Sequence, residues 1–111
     1  MEYNDSRMVQ RVKNKIDALE RRIDEQFNLL DIANKVIKDN RFKVKTLRDF
    51  YQLDKFDSQY MLGIDGVMDE ISKYNTIIVK KKDEVDDCER LIDTLTKQVI
   101  DLKVNLNWLR D

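Results

Sequence analysis

Few residues in this chain are of a type that performs covalent or acid–base chemistry. There is no histidine to titrate near neutral pH. The single cysteine, Cys88, falls on an apolar repeat with steps of three and four residues. That setting predicts a buried structural thiol rather than a nucleophile. One cysteine also excludes an internal disulfide and most metal frameworks, and it fits a reducing compartment. Gly63-Ile64-Asp65-Gly66 has neither the spacing of a phosphate loop nor the Lys-Ser/Thr that follows one, so it reads as turn punctuation. Carboxylates are dense at Asp83, Glu84, Asp86, Asp87, Glu89 and Asp93. A divalent cation needs several oxygens converging at once, and on a straight helix only residues three or four apart share a face. The expectation is a solvated acidic face, with no metal, no cofactor and no catalytic group. The chain is expected not to be an enzyme.

What remains is binding. Lys35, Lys38, Arg41, Lys43, Lys45 and Arg48 form a cationic run interrupted only by Asp39. If the chain folds back on itself, Lys80, Lys81 and Lys82 fall beside it and complete a basic belt. Such a belt could touch nucleic-acid phosphates. The neighbouring stretches oppose that reading: Asp24, Glu25 and Asp31 would lie alongside Asp86, Asp87, Glu89 and Asp93. A further basic band near the termini holds Arg7, Arg11, Lys13, Lys15, Arg21 and Arg22. The total, 21 basic against 22 acidic residues, lacks the basic excess of a dedicated nucleic-acid binder. Alternating bands favour staggered contact with another copy or with a banded protein partner, and nucleic acid is the less favoured partner.

The apolar surplus is more informative. Phe27, Leu29, Ile32, Val36 and Phe50 in the first half, and Met68, Ile77, Leu91, Ile100, Val104 and Trp108 in the second, exceed what a two-helix seam needs. Ile100, Val104 and Trp108 recur every four residues on a face turned away from that seam. Contiguous apolar surface outside a core marks a contact site, and tryptophan is enriched at binding hot spots. The candidate partner-binding residues are therefore Ile100, Val104, Trp108, Phe27, Ile32 and Val36. The competing expectation is that Trp108 folds onto Tyr3 or Met8.

The elements that position these groups follow from periodicity. Ile64, Val67, Ile71, Tyr74, Ile78, Lys81, Val85, Cys88, Ile92, Leu95, Val99, Leu102, Leu106 and Leu109 form a heptad seam with Lys81 as its one charged member. A second seam runs Val9, Val12, Ile16, Leu19, Ile23, Gln26, Leu30, Ala33, Ile37, Asn40, Val44, Leu47, Tyr51, with polar interruptions at Gln26 and Asn40. Pro is absent and only two glycines occur, so little else can form. The pattern predicts an all-α single domain over residues 1–111. Its first helix spans about 4–52, capped by Asn4, Asp5 or Ser6, and its second about 66–110, with Asp65 as N-cap. The phase breaks between them, in a connector at about 52–66. Either a tight turn occupies 52–58, or a short apolar helix with Phe56 and Tyr60 precedes a turn at 63–66; the second placement is slightly favoured. Residues 9–51 and 67–109 are each 43 long, a span of about 65 Å in helix. Folded antiparallel with facing numbers summing to 118, every a position meets a d position, as in Ile16 with Leu102, Ile23 with Leu95 and Leu47 with Ile71. An antiparallel coiled-coil hairpin that oligomerises into a bundle is the expected fold. A parallel homodimer is the competitor, since β-branched a positions with Leu at d favour it.

Size and hairpin shape make the chain similar to small type VII secretion partner proteins and to prefoldin-type chaperone subunits. It lacks the Trp-x-Gly turn of the first and a connector long enough for the strands of the second. No apolar run reaches a membrane span of ~18 residues, and the N-terminus carries no secretory signal. The expected role is that of a structural or assembly protein acting through coiled-coil protein contacts, as a homo-oligomer or as a subunit of a viral, phage or cellular complex. It would be cytoplasmic or part of an intracellularly assembled particle, with leaderless secretion also open. The alternatives are a secretion-associated helical adaptor or chaperone, and a small inhibitor that presents Asp83 to Asp93 to a nucleic-acid enzyme.

Overall fold

The computed structural model describes residues 2–53 and 65–110, with side-chain surroundings given for 7–53 and 66–109. Two long helices, α1 (Glu2–Phe50) and α2 (Asp65–Arg110), make up this part of the chain. They pair as a helical hairpin. Neither contains a proline, so the intrahelical hydrogen-bond ladder has no obligatory break. No helix among the described residues is long and apolar enough to cross a membrane.

Both helices begin earlier than the capping pattern suggests. Asn4, Asp5 and Ser6 lie inside α1 rather than at its N-cap, and Asp65 is the first residue of α2 rather than its cap. A carboxylate in the first turn still interacts favourably with the helix dipole, so Asp65 and Asp69 retain that role.

The end of α1 is a built stop. The Tyr51 amide donates to the Leu47 carbonyl at 3.0 Å, Gln52 to Asp49 at 3.3 Å, and Leu53 to Arg48 at 3.0 Å. Gln52 has φ = 52°, the left-handed conformation. A six-to-one bond closing over a five-to-two bond, with a left-handed residue between, is the Schellman arrangement. It satisfies carbonyls that the helix would otherwise leave open. Tyr51 was the expected last rung of the first seam. It lies beyond the helix instead, half turned to solvent, with its ring edge-on to Phe50 at 4.9 Å. The two connector placements, and Phe56, Tyr60 and Gly63 within them, lie outside the described residues.

Two compact units divide the chain: Met1–Leu30 with Asp86–Asp111, and Asp31–Val85. In the first, the core is Ile16, Val99 and Leu106, with Val9, Val12, Leu19, Ile23 and Leu102 packed against it. Leu95 is the most enclosed side chain, at 2% exposure, and Cys88 is buried nearby in sequence on the same seam. In the second, Ala33, Ile37, Ile71 and Ile78 are buried together with Asn40.

Within each unit the helices run antiparallel in the register expected. In the first, Lys13 and Ile16 share a groove with Lys103 and Leu106, while Leu19 and Arg22 share one with Gln98 and Leu102. In the second, Arg41 and Val44 lie with Asn75 and Ile78, and Lys43 and Leu47 with Glu70 and Tyr74. As one number rises the other falls, and facing positions sum to within a few residues of 118. The chain thus supplies both strands of its own coiled coil, and the parallel-dimer alternative is set aside.

Every seam position from Val9 to Leu47, and every one from Val67 to Leu109, is buried or half-buried. The polar interruptions are accommodated individually. Asn40, buried, donates Nδ2 to the Val36 carbonyl at 2.8 Å, so its polar group is not left unpaired. Lys81 turns its ammonium out of the seam to Glu84 Oε2 at 3.0 Å while its stem stays half-covered. Gln26 is half-buried.

Candidate partner-contact surfaces

A pair of helices covers only one stripe of each. Seen along a heptad from the seam at a and d, positions e and g flank it, and b, c and f face away. Function has to be sought among the residues on those five positions.

In the unit formed by 1–30 and 86–111, Ile100, Val104 and Trp108 occupy positions b, f and c of α2. All are exposed, at 53%, 49% and 78% respectively. Their spacing of four places them along one gently inclined ridge of a single helix. Trp108 is not packed on Met8, which is itself half exposed; the Tyr3 alternative lies outside the described residues. Phe27, at position e of α1, is also exposed. Beside the seam, Lys15, Ala18 and Arg22 on α1 and Gln98 and Asp101 on α2 line an open groove floored by Leu19 and Leu102. The small Ala18 side chain leaves that groove unfilled.

In the unit formed by 31–85, Ile32 is exposed and Val36 half-buried, so the two do not form an equally free patch. Val36 lies at position g, directly beside the seam, and the helix pair already covers part of it. Leu91, at the matching position of α2 in the other unit, is half-buried in the same way. Two exposed apolar residues escape the sequence reading: Phe42, at 70% exposure, and Val79, at 58%. Phe42 stands at position f. Val104 takes the same position on α2, so the heptad pattern of the sequence marks Phe42 as outward-facing too.

The basic belt does not form one continuous patch. Lys35 is engaged by Asp31 at 3.5 Å within its own helix. Lys43, at position g, places its ammonium 5.4 Å from the centre of the Tyr74 ring and lines a groove with Phe42, Thr46 and Glu70. Lys80 and Lys82 are exposed on α2 at positions c and e. On the opposite flank of α1, Lys38, Arg41, Lys45 and Arg48 follow at steps of three, four and three, at alternating b and e positions. Arg41, Lys45 and Arg48 line a groove with Asn75 and Asp49, floored by Val44 and Ile78. These four cations enter no ion pair among the described residues. Neighbouring like charges three or four residues apart on a helix cost about 0.2–0.5 kcal/mol each.

Ion pairing elsewhere is sparse. Lys97 meets Asp93 at 3.1 Å, and Lys103 of α2 reaches Glu20 of α1 at 3.3 Å. Exposed pairs of this kind contribute between zero and ~1 kcal/mol. Tyr74 donates its hydroxyl to Glu70 Oε1 at 2.8 Å. That hydrogen bond to a carboxylate, with smaller effects of desolvation and of the Glu70 charge, holds its phenol pKa above the usual value. The carboxylates from Asp83 to Asp93 do not converge: no group of three or more metal-ligating side chains occurs among the described residues. Cys88 is a buried free thiol. The chain matches no family model, no curated protein and no solved structure with which it was compared.

Proposed function

We propose that this chain is a non-enzymatic structural or assembly protein that works through coiled-coil contacts, associating with copies of itself or joining a larger helical complex. One observation carries the proposal: the apolar ridge Ile100–Val104–Trp108 stands outside the seam and exposed. The hairpin already has its own core, so the ridge is not needed to hold the two helices together. Leaving a tryptophan in water has no benefit to the isolated chain, and burying it against a partner helix removes a large apolar surface from water. The surroundings suit a helical partner, because side chains four apart form the ridge that packs into a groove of another helix. A buried free thiol fits service in a reducing interior.

Trp108 is the chain's single tryptophan, so its fluorescence reports on its surroundings without labelling. Sedimentation of the purified chain over a concentration series, with emission recorded in parallel, tests the reading. Association should rise with concentration and move the emission to shorter wavelength. Trp108→Ala should weaken association and leave helical circular dichroism unchanged. A variant that loses its helicity would show Trp108 to be core, and one that associates like the parent would remove the ridge from the contact.

A further inference from the structure

We infer that α1 pairs antiparallel with α1 of a second copy, along its outward face between Ile32 and Phe50. The inference rests on the reading above, that the chain works by association, and names a partner and a surface for it. It concerns the unit formed by 31–85 alone.

In that unit the c and g rows of α1 are Ile32, Val36, Asp39, Lys43, Thr46 and Phe50. Apolar side chains stand at the ends, and one carboxylate and one ammonium stand in the middle. Ile32 and Phe50 are exposed, and Val36 is half-buried. Row f, beside them, holds Lys35, Phe42 and Asp49, all exposed. Ile32, Phe42 and Phe50 are thus three large apolar side chains left in water on one face of one helix, which marks a contact site.

The charges on this face say what covers it. Set against a second copy running the opposite way, Ile32 faces Phe50, Val36 faces Thr46 and Asp39 faces Lys43, each pair summing to 82. The relation is its own inverse, so every pair occurs twice and the contact closes as a two-fold dimer. Row f runs along one edge of it, as the flanking row of an antiparallel coiled coil does. There Lys35 falls beside Asp49 of the second copy, and Phe42 beside its own copy. Asp39 and Asp49 enter no ion pair among the described residues. Lys35 holds Asp31 at 3.5 Å, and the Lys43 ammonium lies 5.4 Å from the Tyr74 ring centre. Exposed contacts of these kinds contribute up to about 1 kcal/mol, so both ammonium groups are free to exchange them for a carboxylate across the dimer.

Other registers fail. One heptad shorter in sum, Lys43 faces Ile32 and Asp39 faces Val36; one heptad longer, Asp39 faces Phe50. A parallel copy in register sets Asp39 against Asp39 and Lys43 against Lys43. The c and g rows lie roughly 110° around α1 from the seam, at about 100° per residue, so α2 and its copy splay apart rather than face each other. Nucleic-acid phosphates would leave Ile32, Phe42 and Phe50 without a role.

Sedimentation equilibrium of the full chain at low salt, over a concentration series, should show a dimer. Phe42→Asp should weaken it at least about tenfold and leave helical circular dichroism unchanged. Asp39→Lys brings ammonium groups together at both central contacts and should also weaken it about tenfold or more. Adding Lys43→Asp to the same chain makes both contacts opposite in sign again and should recover the parent's affinity. A parent that stays monomeric, an Asp39→Lys chain that dimerises like the parent, or a double variant no stronger than Asp39→Lys alone would each overturn the inference. A monomeric parent also confines the proposed function to its larger-complex form. Association abolished by Trp108→Ala yet indifferent to Phe42→Asp and Asp39→Lys overturns this dimer while leaving the proposed function standing.

Discussion

Replacing Gln52 by glycine should stabilise the hairpin, against the usual direction for glycine substitutions. Gln52 holds φ = 52° at the stop of α1, between the bonds from Leu53 to Arg48 and from Gln52 to Asp49. An L-residue in this conformation brings its Cβ close to the following carbonyl, at a cost of about 1–2 kcal/mol. Glycine has no Cβ and removes that cost. It adds freedom to the unfolded chain, which takes back roughly 0.5–1 kcal/mol. The net expectation is a gain of about 0.5–1 kcal/mol, or a few degrees in Tm for a chain of this size. Urea denaturation followed by circular dichroism at 222 nm reads it directly as a midpoint shift. Gln52→Val is the control: a β-branched side chain tolerates positive φ least, so it should destabilise by at least about 1 kcal/mol. If glycine and valine at this position shift the midpoint alike, or if glycine lowers it, the helix stop does not hold α1 as described and the argument fails.

Two further expectations concern the seam and its edge. Leu95→Ala should cost about 2–5 kcal/mol in the same denaturation experiment, since Leu95 is 2% exposed and its removal opens a cavity. Val104→Ala, on the exposed ridge, should stay within about 0.5 kcal/mol of the parent. Tyr74 should titrate at higher pH than an ordinary tyrosine, read by carbon-13 NMR of labelled tyrosine, and Glu70→Gln should bring its midpoint down. Because the folded pKa is raised, the stabilisation from this hydrogen bond is complete below the unfolded tyrosine value near 10 and is lost as pH rises through the folded one.

Two helices cover one stripe of each other, so most side chains remain on the outside, where the seam places no demand on their identity. That freedom leaves room for both an apolar ridge and charge runs that repel within themselves. Neither feature improves the isolated hairpin. The cationic run Lys38–Arg48 shows how register refines a count of charges. Lys43 lies in the same run but faces the other flank, over Tyr74, and Lys35 is tied to Asp31.

The amino-acid sequence by itself determined the helices and their seams, and it favoured an antiparallel pairing over the parallel one. Periodicity is local, and a seven-residue apolar repeat without proline forms a helix that must cover its stripe, so each seam position from Val9 to Leu47 and from Val67 to Leu109 is covered. The equal arms then set the register. Tertiary structure alone decided three other matters. The seam pattern ran on to Tyr51, but the chain turns at Gln52, because a left-handed residue closes the backbone hydrogen bonds there whatever the side-chain pattern. Val36 and Leu91 looked as free as Phe27 and Ile32 but are half-buried, whereas Leu29 and Ile77 at the same position g are exposed, so heptad position alone does not decide the cover. Trp108 had a possible resting place against Met8 and does not take it. Burial depends on what lies opposite a side chain, and a one-dimensional pattern records only which way that side chain leaves its own helix.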